Sequence, residues 1–84
     1  MVMRRSNYNA AAAALLREAR IKAGLKQSEL ANRLGVHQQF VSKYETGERR
    51  LDVGAVLEIC GVLDLSFVDF AIALATHAER VGKG

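Results

Sequence analysis

At 84 residues, half of them hydrophobic and a quarter charged, the chain has room for one small globular core and lacks the composition of a disordered segment. No apolar run approaches the roughly 20 residues that span a bilayer, and the start Met1-Val2-Met3-Arg4-Arg5-Ser6 has no apolar leader segment, so the expectation is a cytoplasmic protein with no membrane partner. Net charge is only +3, but residues 1–50 hold ten Lys/Arg against four Glu, while residues 51–84 hold two against five acids.

The apolar spacing predicts five helices and no strand, an all-α fold. Helix 1 starts near Asn7 or Asn9, either of which can cap it, and runs through the strong helix formers Ala10 to Ala14 toward Ala23, with Gly24 as its stop. Leu16, Ala19, Arg20 and Ala23 share one of its faces. Helix 2 covers about 27–34 with Leu30, Ala31 and Leu34 inward, and helix 3 about 38–46 with Val41 and Tyr44 inward and Gly47 after it. Asp52 caps a fourth helix to about residue 63. Ser66-Phe67-Val68-Asp69 is a capping-box variant opening a fifth, which ends between 80 and 83. With no proline, repeat or low-complexity tract, the organisation is a flexible arm over 1–8, one domain over 9–80 and a frayed tail over 81–84.

Between residues 27 and 45 two short helices hinge on one glycine. Ala31 is small enough for them to touch, Gly35 can take the positive φ that ends the first, and Val36 and Val41 can tuck under the bend. That is a helix-turn-helix and it points to double-stranded DNA. It lies in the half of the chain with a net +6, which suits a polyanion, while the −3 half faces away.

The segments Leu25-Lys26-Gln27-Ser28-Glu29-Leu30-Ala31, Leu34-Gly35-Val36, Val41-Ser42-Lys43-Tyr44-Glu45-Thr46-Gly47-Glu48-Arg49 and Leu57-Glu58-Ile59-Cys60 resemble the Cro/Xre phage-repressor helix-turn-helix family over about residues 17–69. The resemblance implies a compact five-helix repressor-like domain, usually a homodimer, with helix 3 in the major groove. It also implies a structural salt bridge between Arg20 and Glu45, and a Gln27 that touches the DNA backbone and supports Gln38 through a side-chain hydrogen bond.

Gln38, Gln39, Ser42 and Lys43 share the helix 3 face opposite Val41 and Tyr44. A glutamine amide matches the N6 and N7 edge of adenine and a lysine donates to guanine O6 and N7, so these residues are the candidates for base contact. Gln27 opens helix 2, where unpaired backbone amides favour a phosphate. Arg49 and Arg50 follow helix 3 and can clamp a flanking phosphate, with Lys26 at the other edge. The family usually has Thr or Ser at the positions of Lys26 and His37, just ahead of helices 2 and 3. Losing such a cap costs about 0.5–2 kcal/mol. Both residues are therefore expected to give up some stability for backbone contacts, His37 the more so as falling pH protonates it.

Helix 5 is apolar around much of its circumference: Phe67, Phe70, Ala71 and Leu74 form one face and Val68, Ile72 and Ala75 widen it, predicting a homodimer interface. Phe40 packs at the helix 3 margin or presses on a sugar or thymine methyl. Cys60 is a core residue. His37, His77 and Cys60 have no ligand spacing, and no nucleophile, base and orienting group come together, so no metal, cofactor or enzymatic activity is expected. The expected function is a sequence-specific DNA-binding regulator, with repression by occlusion the simpler sign. The alternative is an antitoxin-like module that holds a toxin-like partner protein through helix 5 and autoregulates through the same DNA face. A domain that kept the fold but lost DNA binding is disfavoured by Gln38, Gln39, Lys43 and Arg49.

Overall fold

Glycines at the ends of the first three helices set the architecture, because Gly24, Gly35 and Gly47 all take positive φ, between 72° and 84°. The computed structural model describes residues 5–83, with side-chain surroundings for 7–77, and contains α1 (Arg5–Lys22), α2 (Gln27–Leu34), α3 (Gln38–Glu45), α4 (Val53–Val62) and α5 (Phe67–Lys83). No strand occurs among the described residues. At Gly35 the closure is a Schellman turn, in which the Val36 N–H donates to Ala31 O at 3.0 Å. The same turn ends α1, where the Leu25 N–H donates to Arg20 O at 3.2 Å.

Helix α1 begins at Arg5, so residues 5–8 of the expected arm are helical, while residues 1–4 lie outside the described part. Once the alanine run has nucleated a helix, each further residue adds a hydrogen bond without a second nucleation cost, so the helix propagates past both asparagines. At the other end α5 reaches Lys83. Of the expected frayed tail, residues 81–83 are therefore helical and Gly84 lies outside the described residues.

α1 packs against α5 and α3, and α2 packs against α3 and α4. The shared core is Leu16, Leu30, Ala31, Val41, Tyr44, Ile59, Cys60 and Phe70. Asp52 caps α4 by accepting the Ala55 N–H at 2.8 Å, and Ser66 Oγ accepts the Asp69 N–H at 3.2 Å at the start of α5. Beyond α4, which Leu63 caps, Asp64 is the one non-glycine residue with positive φ (55°) among those described, and the Leu65 N–H closes on Cys60 O at 2.8 Å.

Two packing expectations are corrected. Val36 does not tuck under the bend: its backbone is committed to the turn closure and its side chain is 38% exposed, leaving Val41 to fill that space. Phe70 does not belong to an outward α5 face. It is 4% exposed and part of the core, and Leu74 packs against that core. The outward apolar residues of α5 are Phe67, Val68, Ala71, Ile72 and Ala75. No single described helix is long and apolar enough to cross a membrane.

Candidate nucleic-acid interface

The inward pull of Val41 and Tyr44 fixes the rotation of α3, and with it what α3 presents outside. Gln38, Gln39 and Lys43 are exposed and Ser42 is half-buried. The four residues therefore lie on a single polar surface at the start and middle of the helix.

Both helices of the pair start without an oxygen cap from the preceding residue. Lys26 and His37 stand at the N-cap positions in extended conformation, φ −77° and −74°, and neither side chain caps. A lysine ammonium has donors only and cannot accept a backbone N–H. Half of the reciprocal capping box is nevertheless present at α2, where Glu29 Oε1 accepts the Lys26 N–H at 2.9 Å. Lys26 and His37 are both exposed, so two cationic or protonatable side chains flank helix termini whose first amides have no helical partner.

Beneath this surface sits a charged network centred on Glu45, whose side chain is only 2% exposed. Arg20 grips it with two bonds, Nε to Oε2 at 2.7 Å and Nη2 to Oε1 at 3.0 Å, and its Nη1 donates to Leu25 O at 2.7 Å. This is the fork geometry in which guanidinium matches carboxylate best. The hydrogen bond to Glu45 raises the Arg20 pKa further above its already high ordinary value. Arg17 Nε adds positive charge 4.0 Å from Oε1 from a more exposed position. Gln27 Nε2 donates to the same Oε1 at 3.0 Å.

That last bond corrects an expectation. Gln27 does not pair with Gln38; no hydrogen bond among the described residues joins them, and its amide turns to the buried carboxylate, a charged and hence stronger acceptor. No local sequence pattern signals this link, because 18 residues separate the partners. Leu25 and Arg17 were likewise missed as members of the network.

The loop after α3 treats its two arginines differently. The Arg49 N–H donates to Lys43 O at 3.2 Å and its guanidinium carbon lies 5.2 Å from the centre of the Phe40 ring. Phe40 in turn meets Tyr44 edge-on, with ring centres 5.8 Å apart. Phe40 thus packs at the α3 margin. Arg50 is exposed but stands at the rim of a largely apolar cleft of about 620 Å³ between α1, α4 and α5. Cys60 is buried, and burial pushes its thiol pKa up. No cluster of three or more His, Cys, Asp or Glu suited to a metal ion exists among the described residues.

A family model described as helix-turn-helix matches residues 16–70. Comparison with curated proteins gives no match. Among solved structures, two crystal structures of the clp gene regulator ClgR from Corynebacterium glutamicum are similar. One has a TM-score of 0.82 at 25% identity, covering 90% of this chain and 81% of that one. The other has a TM-score of 0.77 at 27% identity, covering 84% and 91%. The restriction-modification controller protein C.Esp1396I, crystallised as a tetramer in complex with its natural 35-base-pair operator, has a TM-score of 0.76 at 21% identity over 84% of this chain and 93% of that one, a likeness of fold.

Proposed function

The chain belongs to the helix-turn-helix family of the Cro/C1 type, and on that premise we propose that it is a sequence-specific transcriptional regulator that binds double-stranded DNA with α3 in the major groove. The observation that carries this reading is the polar face of α3, where Gln38, Gln39 and Lys43 stand exposed together on a helix whose other side is locked into the core. Ser42 lies among them. Gln27, Lys26, His37, Arg49 and Arg50 supply backbone contacts that fix register without reading sequence. Similarity to ClgR, a gene regulator by its own description, supports the regulatory role, and C.Esp1396I provides a fold-level precedent for operator binding.

Regulation is by a homodimer that represses through occlusion in the cytoplasm. The support is the exposed apolar surface of α5, where Val68 is 65% and Ile72 62% exposed, with Phe67, Ala71 and Ala75 alongside. Two α3 helices set about 34 Å apart by such a dimer would demand a near-palindromic operator. In vitro selection of bound duplexes at stated salt tests the whole reading. The expected result is a two-fold site whose log affinity falls against log salt with a slope near about −7, for about eight phosphate contacts per dimer. Enrichment of no sequence, or undiminished binding by the Gln39→Ala, Lys43→Ala double variant, overturns it.

A further inference from the structure

We infer that Phe40 is a positioning residue for DNA binding, an aromatic seat that holds the Arg49 guanidinium ready for a phosphate; this rests on the DNA-binding reading above and deepens it.

Arg49 follows the reversal at Gly47 (φ 84°) and is anchored to α3 at two points. Its backbone N–H donates to Lys43 O at 3.2 Å, a carbonyl that also accepts from Thr46 Oγ1 at 3.0 Å. Its guanidinium carbon stands 5.2 Å from the Phe40 ring centre, inside the range of a cation–π contact. One anchor thus holds the Arg49 backbone and the other its side chain. The seat itself is fixed: Phe40 is half-buried and stacks edge-on against Tyr44, a core residue, at 69° between the ring planes.

What holds Arg49 matters as much as where it is held. The ion pairs among the described residues join Arg17 and Arg20 to Glu45, and none involves Arg49. A carboxylate would restrain the guanidinium equally well, but it would occupy the N–H donors and cancel the charge a phosphate needs. An aromatic face restrains the plane and leaves the donors at the edge of the fork available. Part of the ordering that binding would otherwise require is thereby done in the free protein.

The test uses the full chain and its selected duplex, with binding followed across about 50–200 mM salt and thermal unfolding measured in parallel. Phe40→Leu keeps an apolar contact with Tyr44 but removes the ring face; Phe40→Tyr keeps the ring; Arg49→Gln removes the cation. Phe40→Leu is expected to weaken binding about threefold to tenfold and to reduce the salt slope by up to about 0.9 per protomer. Phe40→Tyr is expected to bind like the parent, and Phe40→Leu to add no loss in the Arg49→Gln background. Phe40→Met is read the same way if Phe40→Leu melts too early. Unchanged binding by Phe40→Leu, an equal loss in the Arg49→Gln background, or a loss that follows melting temperature with an unaltered slope overturns the seat alone. A parent chain that binds no duplex at low salt overturns the DNA reading, and the seat with it.

Discussion

Gln27 Nε2 donates to Glu45 Oε1 at 3.0 Å, joining the first residue of α2 to the last residue of α3 through one buried carboxylate. Since Arg20 already grips that carboxylate, the angle between the two helices of the DNA-binding unit and the orientation of the Gln27 amide depend on the same group. Glu45→Ala strands the buried Arg20 charge and releases Gln27 together, so its expected loss of stability in urea is about 3–5 kcal/mol. Gln27→Leu removes one hydrogen bond to a charged acceptor and should cost only about 1.5–3 kcal/mol. The informative comparison is DNA affinity under conditions where both variants are folded: Gln27→Leu should still bind more weakly than the parent. Equal affinity would show that Gln27 braces the fold without touching DNA.

Tyr44 and Cys60 give the protein an alkaline limit. Burial raises the Tyr44 pKa well above 10 and its charged neighbour Glu45 raises it further; burial also raises Cys60 above 9.0. The folded chain keeps both groups neutral, whereas the unfolded chain releases their protons from about pH 9 upward. Above that pH the unfolded state binds fewer protons, so stability is complete below pH 9 and falls as pH rises, by up to about 1.4 kcal/mol per pH unit for each group. Arg20 is raised above its already high ordinary value and adds nothing in this window. Tyr44→Phe should flatten the decline above about pH 10. At neutral pH it should be as stable as the parent or more so, because the buried Tyr44 hydroxyl has no hydrogen-bond partner among the described residues. Chemical unfolding from pH 7 to about pH 11 checks both points; a flat profile for the parent would refute the mechanism.

These residues mark where sequence reading succeeds and where it stops. The ends of α1, α2 and α3 are legible because glycine is the residue that takes positive φ without strain, and Gly24, Gly35 and Gly47 all do so. The end of α4 is not, since Asp64 takes that conformation within a local turn closed by the Leu65 N–H on Cys60 O, and no glycine announces it. Leu30, Ala31, Val41 and Tyr44 are legible as core because their helices are strongly two-sided. Phe70 is not, because α5 is apolar around so much of its surface that periodicity cannot say which way it faces. The candidate contacts on α3 follow from the helix face alone, whereas the Gln27 bond to Glu45 and the Phe40 seat under Arg49 depend on how separate segments meet.

Val68 and Ile72 stand one helical turn apart on α5 and are the most exposed large apolar residues among its described side chains. If this surface joins two copies, Ile72→Asp buries a charge at the interface of the dimer while leaving the monomer core untouched. The expected outcome is a monomer by sedimentation at micromolar concentration, with stability of the folded monomer changed by no more than about 0.5 kcal/mol. Affinity for a two-fold site should collapse toward that for a half-site. A parent protein that sediments as a monomer with and without DNA would remove the interface.

The N-caps of α2 and α3 are suboptimal for stability alone, since neither the Lys26 nor the His37 side chain offers the backbone an acceptor. His37→Ser should therefore stabilise the free protein, by about 0.5–2 kcal/mol, if serine completes the cap of α3. Lys26→Thr should gain less, because Glu29 already accepts the Lys26 N–H and secures that turn. Both variants should bind DNA more weakly despite being more stable, because each loses a donor placed where a phosphate would meet unpaired helix amides. The opposite signs of the two effects separate this account from a neutral surface role, in which stability would rise and affinity stay unchanged. If His37→Ser binds DNA as tightly as the parent, the place of His37 ahead of α3 has no electrostatic role in binding.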